Sequence, residues 1–102
     1  MNTFDDRKKA FESKFANDAE MQFKVAAKRN KFVGLWAAEL LGKSGDDAEK
    51  YAREVIKSDM EEAGDEDVIR KVQGDLGSLA TDQEIRNKLK ECYGKALDDL
   101  AA

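Results

Sequence analysis

Apolar residues recur along this chain at helical spacing and nowhere alternate strictly, so the pattern predicts helices and no strand. Phe4, Phe11 and Phe15 follow at steps of seven and four and share one helical face. Ala19, Phe23 and Ala26 continue that stripe with slow drift, while Arg7, Lys8, Lys9, Glu12 and Lys14 occupy the other faces. Thr3 and Asp6 stand as in a capping box with Asp in place of Glu, and Asp5 and Asp6 suit the positive end of a helix. From Phe32 to Leu41 the pattern changes. Phe32, Val33, Leu35, Trp36, Ala37, Ala38, Leu40 and Leu41 nearly surround the helix, which predicts a buried one. Lys28, Arg29, Asn30 and Lys31 lie between the two pieces and read as a bend or an exposed turn. Gly42 and Gly45 end the segment.

Three more helices follow by the same punctuation. Asp46 or Asp47 starts one, with Ala48, Tyr51, Ala52, Val55 and Ile56 inward and Gly64 as its stop. Asp65 caps a short piece carrying Val68, Ile69, Val72 and Leu76, weakened by Gly74 and Gly77. Thr81-Asp82-Gln83-Glu84 is a full capping box, and Ile85, Leu89, Cys92, Ala96 and Leu100 line the helix after it. The fold expected is all-α: a small antiparallel four-helix bundle with an extended amphipathic N-terminal helical segment. The division expected is 1–17 for that segment and 18–102 for the bundle. A continuous helix from Thr3 to Leu41 would be about 58 Å long, far beyond its neighbours. Its aromatic front therefore either bends home or projects toward a partner groove.

Charge sharpens this division. The first 31 residues hold eight Lys/Arg against five Asp/Glu, and the remainder hold ten against seventeen. A basic front on an acidic body suggests two surfaces with different work. Charged residues are 39% of the 102, apolar residues 41%, and the net charge is −4, which suits one soluble domain with a modest core. There is no histidine and one cysteine, so histidine-dependent triads, zinc sites and disulfide frameworks are excluded. No signal peptide and no membrane span is legible, and a lone cysteine fits a reducing compartment, so a cytoplasmic location is expected.

Little else carries chemistry. Gly42-Lys43-Ser44 resembles the tail of a phosphate-binding loop, but Ala37 stands where its first glycine belongs and a helix precedes it. The acidic run Asp59, Glu61, Glu62, Asp65, Glu66 and Asp67 lacks calcium-loop spacing and reads as caps around a turn. Trp36 and Cys92 read as core. Lys24, Lys28, Arg29 and Lys31 form a candidate anion or nucleotide contact. No metal, cofactor, nucleic-acid or catalytic site is expected, and the chain reads as no enzyme.

Several blocks carry a resemblance: Thr3-Phe4-Asp5-Asp6-Arg7, Ala10-Phe11-Glu12, Lys14-Phe15-Ala16, Arg29-Asn30-Lys31, Trp36-Ala37-Ala38, Leu41-Gly42, Gly45-Asp46-Asp47-Ala48, Tyr51-Ala52, and Glu61-Glu62 to Gly64-Asp65-Glu66-Asp67-Val68. In their order and spacing the chain resembles the zeta subunit of alphaproteobacterial F-type ATP synthases. That family consists of four-helix proteins that inhibit ATP hydrolysis by the catalytic head. The resemblance implies that the N-terminal segment is the inhibitory element, with Thr3, Phe4, Asp5, Asp6, Arg7, Lys8, Ala10, Phe11, Glu12, Lys14 and Phe15 as the partner-binding residues. Phe4, Phe11 and Phe15 would be the apolar anchors; Arg7, Lys8, Lys9 and Lys14 would meet acidic groups on the head. It implies a protein peripheral to the inner membrane through the ATP synthase, with weak nucleotide binding in some members. The reading from another class is a stand-alone bundle that binds a nucleotide or small anion near Lys24–Lys31 as a metabolic sensor.

Overall fold

The computed structural model describes residues 18–59 and 65–101; the expected N-terminal segment, 1–17, lies outside them, as do Glu61, Glu62 and Gly64. Among the described residues there are four α-helices and no strand: α1 (Ala19–Leu40), α2 (Gly45–Asp59), α3 (Glu66–Leu76) and α4 (Asp82–Ala101), with a 3₁₀ turn at Gly77–Leu79. The all-α bundle expected from the pattern is the fold observed.

Local chemistry sets the ends of α1. Asp18 has extended backbone (φ −126°, ψ 102°), and its Oδ1 accepts hydrogen bonds from the Glu20 and Met21 amides at 3.0 and 3.2 Å. That is an N-cap, so no helix runs unbroken from Thr3 to Leu41. At the other end Gly42 takes φ 78°. The Lys43 amide donates to the Ala38 carbonyl at 2.8 Å and the Gly42 amide to the Glu39 carbonyl at 3.1 Å, a Schellman stop. Gly42-Lys43-Ser44 is thus a helix terminus. α4 opens on the capping box read in the sequence: the Thr81 amide donates to Glu84 Oε1, and the Glu84 amide to Thr81 Oγ1, both at 3.1 Å.

Cross-helix pairs give the topology. On α1, Phe23, Ala26, Ala27 and Asn30 face Ile56 and Asp59 of α2, and Gly34 meets Ala52, so the two helices run antiparallel. Lys28 pairs with Asp99, and Lys95 and Lys88 cover Phe32 and Trp36, so α1 and α4 are antiparallel too. Tyr51–Asp75 and Glu54–Lys71 set α3 antiparallel to α2. The α1–α2 seam is tight: a Cβ built on Gly34 would lie 2.6 Å from the Ala52 Cα. The core joins Val33, Ala37 and Ala38 of α1 with Tyr51 and Val55, with Val68, Ile69, Val72 and Leu76, and with Ile85, Leu89 and Cys92. Val25, Ala96 and Leu97 form a smaller cluster at the other end.

Four expectations are corrected. Lys28–Lys31 is neither a bend nor an exposed turn, because α1 passes through it and buries Arg29 and Asn30. The Phe32–Leu41 stretch is not buried all round: Phe32, Leu35, Trp36 and Leu41 are half-buried and Leu40 is exposed. Only one side of α1 faces α2 and α3 there, while lysines of α4 cover part of the rest. Trp36 is accordingly not a core residue. It packs against the core on one side, and Lys88 Nζ stands 5.4 Å from its ring centroid, a contact that shields it from water. Asp65 does occupy the N-cap position of α3, yet its side chain makes no capping hydrogen bond. It is held instead by Arg29.

Candidate functional site

The eleven partner-binding residues expected, from Thr3 to Phe15, lie outside the described residues. What the structure describes is the platform they lead into, the first three turns of α1. The chain enters this platform through the Asp18 cap. The Glu20–Lys24 ion pair (3.6 Å) decorates its exposed side. Val25 turns inward and is buried, whereas Phe23, two residues earlier, is 54% exposed. Beside Phe23 a small cleft of about 20 Å³ opens between α1 and α2, lined by Ala26, Ala27, Asn30, Ile56 and Asp59. Asn30 is 1% exposed, and its Nδ2 has no hydrogen-bond partner among the described residues.

Below the platform Arg29 organises the end of the bundle. Its Nη1 donates to Asp65 Oδ1 at 2.8 Å, its Nη2 stands 3.8 Å from Asp59 Oδ2, and its Nε donates to Asn30 Oδ1 at 3.0 Å. One guanidinium therefore ties the last residue of α2 to the residue that opens α3. A planar fork suits this bidentate bridging better than an ammonium would. The acidic run is in this part a set of partners for Arg29, and among the described residues no carboxylate cluster could hold a metal ion.

The four cations of the anion-site expectation do not converge. Lys24 faces Glu20, and Lys28 faces Asp99 at 2.7 Å. That hydrogen bond and the charge behind it hold the Asp99 carboxyl below the usual carboxylate range. Arg29 is buried among the carboxylates above, and Lys31 is exposed on the surface of α1. A larger groove, about 730 Å³, lies between α1, α3 and α4; Arg29, Asp65, Glu66, Arg86 and Tyr93 are among its lining residues. Its arginines are already matched: Arg86 makes a two-pronged contact to Glu66 (3.0 and 3.2 Å) and a further bond to Asp82 at 2.6 Å. Both arginines of the groove are thus occupied by carboxylates, while Lys90 also lines it.

Two further polar contacts hold the framework. The Tyr51 hydroxyl donates to Asp75 Oδ2 at 2.8 Å, and Lys71 Nζ donates to the same oxygen at 2.8 Å. Burial and the Asp75 contact push the Tyr51 phenol well above its ordinary value. Burial opposes ionisation of Asp75, but hydrogen bonds from Lys71 and Tyr51 outweigh it and hold the carboxyl low. Cys92 is buried on the inner face of α4, as read from the sequence, and burial pushes its thiol up. A thiol kept protonated is a poor nucleophile. Sequence reasoning did not find the Arg29 clamp, the Tyr51–Asp75 pair or the Gly34–Ala52 contact. The first two join residues far apart in the chain and leave no local signal. Gly34, a glycine inside an apolar helical run, is a readable mark of close packing.

No helix among the described residues is long and apolar enough to cross a membrane. No curated relative matches the chain. Solved structures do match, and one, a solution NMR structure, is 55% identical over 78% of this chain and 94% of that chain, with a TM-score of 0.74. The model of the family described as ATPase inhibitor subunit zeta matches residues 1–99, so the match includes the aromatic segment ahead of Asp18 as well as the bundle. The chain belongs to the ATPase inhibitor subunit zeta family.

Proposed function

We propose that the chain inhibits ATP hydrolysis by an F-type ATP synthase by inserting residues 1–17, as a helix, into a catalytic subunit interface of the head. The observation that carries this reading is the family match from residue 1 through the whole bundle. The aromatic stripe of Phe4, Phe11 and Phe15 supports it, since such a stripe needs a groove to fill. Burying three phenylalanines contributes roughly 5–9 kcal/mol at about 1.5–3 kcal/mol each. Ordering a short segment costs several kcal/mol of that, so the anchors alone do not reach micromolar affinity, about 8 kcal/mol, and the charged contacts must contribute as well. Arg7, Lys8, Lys9 and Lys14 speed the encounter with an acidic surface and align the segment.

The mechanism is mechanical. A helix wedged in a closing interface blocks the conformational cycle that hydrolysis requires, and rotation in the synthesis direction opens the interface and ejects it. The bundle serves as the handle that presents the segment, and the protein is located with the ATP synthase at the membrane surface. No group of this chain takes part in bond breaking, so it acts as a regulator.

The test is a titration of ATP hydrolysis by the cognate membrane-detached head with the full chain and with Phe11→Ala. The variant should inhibit roughly 30-fold more weakly, the effect of a 2 kcal/mol anchor, with an unchanged melting temperature. Equal inhibition by both would overturn the assignment of Phe11 as an anchor. A Phe11→Ala chain that fails to fold would place that ring in the core.

A further inference from the structure

We infer that Phe23 is a further anchor for the ATPase head, extending the partner interface past Asp18 onto the first turns of α1; this rests on the inhibitory reading above. The ring is 54% exposed in a helix that buries Val25 to 1%. The bundle thus has room for apolar side chains on α1 and does not take this one. Covering the exposed half of the ring would gain roughly half of what burying a whole phenylalanine does, so a half-uncovered ring beside a binding segment is an unused contact.

The geometry also decides how the ring is used. The cleft at its base measures about 20 Å³, room for about one water molecule. No partner side chain and no small ligand fits there. Recognition in this place therefore works by a protruding ring entering a pocket on the partner. Ala26, Ala27 and Ile56 leave the surroundings low and apolar, and the Lys24–Glu20 pair stands to one side. Asn30 and Asp59 complete the lining, so the ring stands between an apolar patch and a polar edge, and aromatic rings are common among the residues that dominate interfaces.

Chain connectivity names the occupant. The 17 residues ahead of the platform run up to the Asp18 cap, and Phe23 lies five residues past that cap, about 7.5 Å along the helix axis at ~1.5 Å per residue. A partner that holds the segment up to its junction with α1 is brought alongside Phe23 without any change in the bundle.

The experiment uses the full chain against the cognate detached head, with Phe23→Ala, Phe11→Ala and, as a surface control, Leu79→Ala. Leu79 is equally exposed but lies in the 3₁₀ turn after α3. Melting temperature and light-scattering mass are measured for each. The inference expects about tenfold weaker inhibition by Phe23→Ala, unchanged inhibition by Leu79→Ala, and monomeric, equally stable proteins. Unchanged inhibition by Phe23→Ala, with Phe11→Ala weakened, overturns the inference and leaves the inhibitory reading standing. A loss of self-association in Phe23→Ala without a change in inhibition gives the ring to a second copy of the chain. Stronger inhibition gives it to the chain's own segment. A wild-type chain that does not inhibit at all removes both readings together.

Discussion

The two halves of α1 are built to different ends. From Val33 to Leu40 the helix presents Val33, Gly34, Ala37 and Ala38 to the main core, with small residues where α2 comes closest. From Ala19 to Asn30 it buries Val25, Arg29 and Asn30, two of them polar, and leaves Phe23 in solvent. The far half has spent its apolar surface on the fold. The near half is held by a cap, an arginine clamp and a minor cluster, and keeps an aromatic face uncovered. One helix can thus be closed framework at one end and open surface at the other, without a break between them.

The largest expected effect tests the framework half. Gly34→Ala places a methyl 2.6 Å from the Ala52 Cα, a backbone atom that cannot swing aside. Helix propensity favours alanine by about 1 kcal/mol. Overpacking against a backbone atom, about 3 kcal/mol, should outweigh it and leave a net loss of about 2 kcal/mol in urea unfolding. A neutral or stabilised variant would mean that the seam is looser than described. Arg29→Met, in the near half, removes the tie between Asp59 and Asp65 and should cost about 2 kcal/mol, since hydrogen bonds to charged groups contribute roughly 1.5–3 kcal/mol. If stability is retained, the clamp only follows the fold.

Asp18→Ala should cost about 1 kcal/mol as a lost N-cap and fray the turn that carries Phe23, visible as faster amide exchange at Glu20 and Met21. Unchanged exchange at both amides would remove Asp18 as the anchor of this platform. A smaller effect sits in the pH profile. Asp75 is held below its ordinary value of 3.8, so its contribution is present above that value and is lost as pH falls through the lower, folded one. Wild type should therefore lose more stability than Asp75→Asn between about pH 5 and pH 2. Parallel profiles would show that the Tyr51–Asp75–Lys71 contacts contribute nothing. The smallest effect is Phe23→Ala on the fold itself, within about 0.5 kcal/mol, because the ring is mostly in solvent. A large loss would move Phe23 into the framework and erase the contrast between the halves.

Much of this architecture was legible beforehand because its causes are local. The Thr81–Glu84 box, the Gly42 stop and the inward stripes of α2, α3 and α4 follow from helical period and cap chemistry over a few residues. The apolar run from Phe32 to Leu41 misled for a physical reason. Periodicity counts apolar residues, while burial depends on how many neighbours arrive, and lysine stems of α4 stand in for a further helix over Trp36 and Phe32. Arg29 misled in the opposite sense. A basic residue in the run Lys28-Arg29-Asn30-Lys31 reads as surface, and only the arrival of Asp59 and Asp65 from 30 or more positions away makes its burial tolerable. The candidate partner residues were legible through resemblance and through their aromatic spacing; Phe23 belonged to the same stripe, but its exposure needed the fold.

The most direct test of the central claim is ATP hydrolysis by the cognate detached head, titrated with the full chain and with a chain starting at Asp18, both checked for the same melting temperature. The account predicts that the full chain inhibits and the shortened chain, equally folded, does not. Equal inhibition by the two, or none by either at concentrations far above a micromolar affinity, would contradict it.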